Sequence, residues 1–486
     1  TPKPSSAASD VYKRQIAGIM LQSPRFGQAI DLVGMFVSCD IFEDLDKPYI
    51  TADLILNDDK SWYESTDIIG GETITLMIRS NRDKIDNSEV TLIKKTFYIH
   101  YVSVQHRVSE HQQILMLHLI EDVGYVSNLQ NVNLPYEGRG EDIIKNIAED
   151  FLILEKPNGN FTGTTSRAKE VLYTNPSGVG DRKNYKLIVP NLNPLRAMKW
   201  ICNNMVNQNG SPFYLFSTFV GDKIILAHLQ DLIQTPALNR ESEPFIFSPS
   251  TATSPPDIES TRAIMNMKIG QSEDLFKLIK NGNVGASYTI INGAAPNATT
   301  EVEFDFDLRK DTLEPYLEFH LPENSRQKDP AYSPRFTYQG TPFNELKSRN
   351  ITLFGGSNPY RETTLPDDET GEYPLALGEG YNAADYKMFV IAKSFDALFR
   401  KNPLTINLNG IEFINGDRHT TIGNSIHVQF QKSDDQRPRG EKIAAPLDRK
   451  LSGKYLIYRA RHILKREKYD MSFTLAKLTN INEGGD

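Results

Sequence analysis

The stretch Gly71-Glu72-Thr73-Ile74-Thr75-Leu76-Met77-Ile78 has a counterpart far downstream, Gly423-Asn424-Ser425-Ile426-His427-Val428-Gln429-Phe430. In the first, Ile74, Leu76 and Ile78 recur at every second position, as do Ile426, Val428 and Phe430 in the other; this is the period of a half-buried strand. Each stretch follows an Ile-Gly step, Ile69-Gly70 or Ile422-Gly423, and leads into a polar, charged loop, Ser80 to Glu89 or Lys432 to Lys442. Beyond the loops, Phe97-Tyr98-Ile99-His100-Tyr101 lines up with Tyr455-Leu456-Ile457-Tyr458-Arg459. Leu115, Leu117 and Leu119 then fall in phase with Met471, Phe473 and Leu475. Strand-like segments that recur in one order, with the same loop between them, read as an internal duplication. Two unrelated antiparallel domains of similar pattern are the plainer alternative.

Around these segments the period tells strand from helix. Tyr49 to Leu56 alternates and breaks at Asn57-Asp58-Asp59, which makes the first copy an antiparallel, barrel-like or sandwich-like module. From about Tyr136 the pattern turns helical: Ile143, Ile144, Ile147, Ala148 and Phe151 share a stripe. A second helix is predicted with Asn193 as N-cap, Pro194 at its first position and Gly210 as its stop, burying Met198, Ile201, Cys202 and Met205. Phe213 to Phe219 and Lys223 to Leu229, around Gly221-Asp222, read as a hairpin. Ser248 to Pro256 reads as a linker. Strands resume at Ile258 and are clearest at Tyr288 to Asn292 and Glu301 to Leu308. A helix capped by Asn382 follows, with Met388, Ile391, Ala392, Phe395, Leu398 and Phe399 on its stripe. Closing strands are predicted at Leu404 to Leu408, Ile426 to Phe430, Tyr455 to Ala460 and Met471 to Leu475.

The predicted fold class is β-rich α+β, with two antiparallel β-barrel domains. The first covers 16–129, and the second is split into 258–309 and 381–482. An α+β domain at 130–257 lies between them, and 310–380 is an irregular insertion in the second barrel. Residues 1–15 carry no hydrophobic period and read as a disordered or non-native tail. A length of 486 residues suits about three folding units. Two similar domains per chain also have a symmetry consequence. A ring of three chains would present six of them, an adapter between a three-fold and a six-fold object.

The formal net charge of -8 argues against broad nucleic-acid binding, which needs Lys and Arg to displace counterions. The two cysteines, Cys39 and Cys202, stand far apart in apolar settings and read as buried thiols. No metal or redox spacing exists. No apolar run approaches the ~20 residues of a membrane span, and no signal-peptide pattern is visible, so the expectation is a soluble protein not marked for secretion. Glu301, Glu303, Asp305 and Asp307 alternate with apolar residues, which puts four carboxylates on one strand face. The ordinary reading is a solvated face; the sharper one is an acidic lining of a pore. His106, His111 and His118 cluster in sequence without the spacing of a zinc site. Walker, HExxH, GxSxG and CxxC patterns are missing, so no catalytic, cofactor or metal residue is assigned and the chain is read as non-enzymatic.

With these residues in place, the chain resembles the central baseplate hub proteins of T-even-type contractile-tailed phages. It is more distantly similar to the hub part of type VI secretion spike proteins. The matching stretches are Ile30 to Ile78, the Leu195 to Met205 helix with Asp222-Lys223-Ile224-Ile225, the helix from Asn382, and the strands Asn424 to Phe430 and Gly453 to Leu475. Together they cover about two thirds of the chain, and the order of elements carries the likeness. The 310–380 insertion departs from the family pattern. The resemblance implies that the two barrels are tail-tube-like and that the chain forms a homotrimeric, pseudo-six-fold ring in the virion, after synthesis in the host cytoplasm. It also implies as partners a hexameric tail tube protein, a trimeric cell-puncturing spike and other baseplate proteins, with DNA passing through the bore unbound. A trimeric host-surface adhesin or tail fibre module is the alternative, and a cell-wall hydrolase a third reading.

Overall fold

The computed structural model describes residues 14–23, 29–59, 62–66, 68, 70–80, 92–109, 112–157, 164–178, 180–181, 184–207, 210–247, 262–270, 280, 286–292, 299–304, 337–338, 341–342, 350–355, 372–374, 392–393, 396, 400, 403–410, 421–431, 447–448, 451–466 and 468–480. It is largely antiparallel sheet with few helices. The first copy of the duplication supplies β1 (Arg14–Gln22), β2 (Ile30–Asp31), β3 (Phe36–Asp44), β4 (Thr51–Asp58), α1 (Trp62–Thr66), β5 (Thr73–Ser80), β6 (Leu92–Ser109) and β7 (Gln112–Glu121). The middle unit holds α2 (Asp122–Asn128), β8 (Pro135–Arg139), α3 (Gly140–Phe151), β9 (Ile153–Pro157), β10 (Thr164–Ala168), β11 (Val171–Thr174), β12 (Asn184–Ile188), α4 (Pro194–Cys202), β13 (Phe213–Ser217), β14 (Ile224–His228) and α5 (Leu229–Gln234). After it come the strands β15 (Phe245–Phe247), β16 (Ile264–Ile269), β17 (Ala286–Asn292), β18 (Thr299–Phe304), β19 (Thr337–Tyr338), β20 (Thr341–Pro342), β21 (Asn350–Gly355), β22 (Glu372–Pro374), β23 (Leu404–Asn409), β24 (Ser425–Phe430), β25 (Gly453–Lys465) and β26 (Tyr469–Asn480). Of the helix predicted from Asn382, Ala392, Lys393 and Asp396 are described and helical, and most of the rest lies outside the described residues.

One sheet of 13 strands carries both copies, in the order β16-β23-β26-β25-β3-β4-β7-β6-β5-β1-β2, with β24 and then β15 branching from β25. Within it, β1, β3, β4, β5, β6 and β7 correspond to β15, β16, β23, β24, β25 and β26 in both chain order and neighbour order. The register agrees residue by residue. Leu54 lies opposite Leu117 as Ile406 lies opposite Phe473, and Ile74 opposite Phe97 as Ile426 opposite Tyr455. Two of the irregularities coincide too, although β6 has a further bulge at Ser103 that β25 lacks. A bulge displaces Val37 in β3 and Met265 in β16; another displaces His100 in β6 and Tyr458 in β25. Both copies enter β5 or β24 through a glycine with positive φ, Gly71 at 86° and Gly423 at 78°. The next carbonyl, of Glu72 or Asn424, accepts from Ile99 or Ile457 at 3.0 or 2.9 Å. Chance look-alikes share an alternating pattern; they do not share bulges, which are local and specific features. The copies differ at one edge, where β1 runs antiparallel to β5 but β15 parallel to β24.

The sequence reading treats the copies as two barrels. In the structure their strands run on into one another, because β25 is long enough for two neighbours. Gly453 to Leu456 pair with β24, and Arg459 to Lys465 pair with β3. β1 begins at Arg14, inside the stretch set aside as tail, while residues 1–13 lie outside the described residues. Its alternation is hidden by a bulge between Ile16 and Gly18, after which Ile19 and Leu21 point into the core. The 310–380 stretch contains β19, β20, β21 and β22, and β22 pairs in parallel with β12 of the middle unit.

The middle unit has a core of its own, built from α3, α4 and the strands beside them. Ile143, Ile144, Ile147 and Ala148 are fully buried on the predicted stripe of α3. Asn193 caps α4 as predicted, its Oδ1 accepting from Arg196 N at 2.9 Å, with Pro194 in the first turn. The helix stops at Cys202, short of Gly210. There Asn203-Asn204 turn the chain, and Asn204 Nδ2 donates to the carbonyl of Trp200 at 2.8 Å. The predicted hairpin is β13 and β14, paired antiparallel from Phe213–His228 to Ser217–Ile224. Every residue of both strands is buried. Period two explains this: Phe213, Leu215, Ile224 and Leu226 face the middle core, while Tyr214, Phe216, Ile225 and Ala227 face the core of the large sheet. The hairpin is a wall shared by two cores.

Candidate assembly interface

The point where the copies join is the most chemically specified place in the fold. β3 and the second half of β25 pair antiparallel from Asp44–Arg459 to Ser38–Lys465. β3 brings carboxylates and β25 brings cations. Arg459 Nε donates to Asp44 Oδ2 at 2.8 Å, and Arg461 Nη2 to Asp40 Oδ2 at 2.5 Å. Both arginines are about half exposed, at 55% and 49%, so each pair contributes only about 0.2–1 kcal/mol and acts more on register than on strength. Arg466 reaches past the strand end and donates to the carbonyls of Phe36 and Gly34 at 2.8 and 3.1 Å.

Beneath these pairs lies a buried chain of hydrogen bonds. His462 and Glu43 are both essentially inaccessible, with Nε2 and Oε2 3.2 Å apart. The other ring nitrogen, Nδ1, is 2.8 Å from the Tyr469 hydroxyl. Glu43 Oε1 accepts the backbone amide of Phe219. One imidazole tautomer satisfies the whole chain: Nε2–H donates to Glu43 and Nδ1 accepts from Tyr469. Each polar group so paired avoids the desolvation cost of an unmade bond. The turn after β3 adds a second clamp, where Asp46 holds Lys199 of α4 at 3.0 Å and also Arg400. Burial would raise the Asp46 carboxyl, but Arg400 and Lys199 hold it well below the usual carboxylate range. Tyr214, pushed well up by burial and by Asp396, bonds Asp396 beside the same arginine.

The counterparts of the two joined edges carry no strand among the described residues. β16 pairs only with β23 along its length, and β6 has no neighbour but β7 beyond Tyr98. Met265 and Ile269 on β16 are 44% and 53% exposed, and Tyr101 on β6 is 50% exposed.

Of the acidic strand, Glu301 and Glu303 lie in β18 opposite Thr289 and Ser287, at alternate positions and so on one face. β18 belongs to a separate three-stranded sheet with β17 and β21. Asp305 and Asp307 lie outside the described residues. His118 sits between Asp53, 2.6 Å from Nδ1, and Ser103, 2.6 Å from Nε2, with its ring stacked on Tyr101. The side chain of His106 and the whole of His111 lie outside the described residues. Cys39 and Cys202 are buried, and burial pushes both thiols up, Cys202 to about 12. A Ser177–His228–Asp231 group in the middle unit resembles a hydrolytic triad in composition only. His228 Nδ1 accepts from the Asp231 amide at 3.3 Å, which leaves Nε2 as the nitrogen that faces Asp231 Oδ2 at 2.9 Å and Ser177 Oγ at 3.4 Å. A base that shares one nitrogen between serine and carboxylate has none left to take the serine proton. Among the described residues no group of three or more His, Cys, Asp or Glu is placed to hold a metal ion, and no helix is long and apolar enough to cross a membrane.

No family model and no curated protein matches the chain. Solved structures do resemble it over nearly its whole length. A tail protein from Neisseria meningitidis MC58 aligns at a TM-score of 0.48 and 13% identity, over 96% of this chain and 97% of that one. The 43 kDa tail protein of prophage MuSo2 from Shewanella oneidensis gives 0.45 and 11%, over 95% and 98%. A component of the Escherichia coli type VI secretion system, described as similar to the T4 bacteriophage tail proteins gp27 and gp5, gives 0.36 and 8%, over 95% and 77%. These neighbours are phage-tail and type VI secretion proteins, at identities and scores too low to carry a function across.

The joint itself was missed in the sequence, although a signal was there. Asp40-Ile41-Phe42-Glu43-Asp44 and Arg459-Ala460-Arg461-His462 are strands of opposite charge, and opposite charges on facing strands favour pairing.

Proposed function

We propose that the chain is a structural baseplate hub subunit of a contractile phage tail, acting as a homotrimer whose six repeat units form a pseudo-six-fold ring. The observation that carries this reading is the duplication: one strand unit, twice, joined edge to edge, with no strand on the equivalent edges among the described residues. A unit that already docks head-to-tail on its own copy can repeat that contact between chains, and a head-to-tail contact closes into a ring when the rotation allows. On this reading the ring receives a hexameric tail tube on one side and a trimeric cell-puncturing spike on the other. The role is geometric and needs no catalysis. The acidic strand with Glu301 and Glu303 is our candidate for the bore, where carboxylates would repel passing DNA phosphates.

Electron microscopy and light scattering of the purified protein test the reading. The expected result is a three-lobed ring with a central hole and the mass of three chains, burying more than about 2,000 Å² per subunit contact. A monomer at micromolar concentration overturns it. Clearing of peptidoglycan suspensions would instead favour a hydrolase.

A further inference from the structure

We infer that β16 of one copy adds to the open edge of β6 in the next, antiparallel and in the register fixed by the internal joint. The inference rests on the ring reading above and names its contact. β16 is the counterpart of β3, and the second half of β6 is the counterpart of the second half of β25. The shared bulge at Val37 and Met265 makes Lys268 equivalent to Asp40; β6 has a further bulge at Ser103 that β25 lacks, and past it the pairing with Ile114, which stands where Asp470 does, makes His106 equivalent to Ile463. The internal pairs Ile463–Asp40 and His462–Ile41 then place His106 opposite Lys268 and Gln105 opposite Ile269. Strands with free ladder groups are templates for addition of another strand.

The two joints differ in chemistry. Where the internal joint sets Arg459 and Arg461 against Asp44 and Asp40, the corresponding positions of the outer joint carry Tyr101 and Val104, and Lys268 stands in the place of Asp40. The outer joint therefore relies on ladder hydrogen bonds and on covering Met265, Ile269 and Tyr101, all exposed in the single chain. Lys268 also sorts the joints. If a neighbour's β16 took the place of β3 on β25, Lys268 would meet Arg461 instead of complementing it, and repulsion of this kind is how wrong pairings are rejected.

Cysteine pairs in the full chain test the contact. His106→Cys/Lys268→Cys and Gln105→Cys/Ile269→Cys are successive rungs of an antiparallel ladder, so one of them falls on the close pair that suits a disulfide. The native thiols, Cys39 and Cys202, are buried and stay silent. After mild oxidation, non-reducing gels are expected to show covalent dimers and trimers that revert on reduction, with none from either single variant. Light scattering of the unoxidised protein separates the failures. A trimer in which neither pair links, or links only within a chain, overturns this contact and leaves the ring reading standing. A monomer overturns both.

Discussion

Glu121 ends β7 and sits 1% exposed between two lysines, Lys95 at 2.7 Å and Lys169 at 3.1 Å, while its other oxygen accepts the amide of Ile50 at 2.9 Å. Burial by itself would raise this carboxyl. The charges of Lys169 and Lys95 and the hydrogen bonds outweigh it and lower the pKa from 4.5 to about 2. Between those values the unfolded chain binds more protons at this site than the folded one. The stability Glu121 contributes is therefore complete above pH 4.5 and lost as pH falls through about 2. Glu121→Gln leaves Lys169, 3% exposed, beside a neutral amide, with Asp122 and, at 3.8 Å, Asp222 as further carboxylates. Breaking a buried pair costs about 3–5 kcal/mol, and the remaining carboxylates put this one near the lower figure. Calorimetry should find the variant melting lower at pH 7, with the gap to the parent closing between pH 4.5 and about 2. A gap that stays constant across that window would show that the loss is packing rather than charge. Nothing in the one-dimensional pattern marks Glu121, since its lysines come from β6 and from the segment between β10 and β11.

At the level of elements, local rules were legible and long-range partners were not. The α4 cap and first turn follow from Asn193-Pro194, and the α3 stripe from the spacing of its isoleucines. The repeat was legible because both copies keep one register after a glycine. α5 was missed because His228 ends one strand and caps the next helix, accepting from Asp231 with a ring nitrogen, which cap preferences do not anticipate. The pairing of β12 with β22 was out of reach because parallel partners far apart in sequence share no turn that would announce them. The glycine that enters β24 offers a test at this scale. Gly423 has φ 78°, and a Cβ there would lie 3.1 Å from Phe216 Cζ on the shared hairpin. Gly423→Ala should cost about 1–2 kcal/mol for the left-handed backbone alone, with the crowding of Phe216 added to it. Gly34→Ala, where a Cβ meets nothing within 4 Å, is the control. Thermal melts should separate the two variants clearly, and equal melting would mean that the loop before β24 relaxes freely.

Across the whole molecule, the sheet makes the two copies one body, and the β13–β14 hairpin ties that body to the middle unit through a second core. In the proposed ring, subunit contacts would use edges equivalent to those of the internal joint but with different side chains. Salt tells the two kinds of joint apart. Raising ionic strength from about 0.1 to 1 M shortens the Debye length from roughly 10 to 3 Å. This screens Arg459–Asp44 and Arg461–Asp40, whose arginines face solvent, but not the buried pair Glu43–His462. Covering Met265, Ile269 and Tyr101 is an apolar gain that such salt does not weaken. Sedimentation velocity across that range should therefore show the trimer persisting, even where Arg459→Ala/Arg461→Ala has removed the exposed pairs of the internal joint. Dissociation into monomers as salt rises would place ionic pairs at the subunit contact, and the edge equivalent to β3 would then not be the one that meets its neighbour.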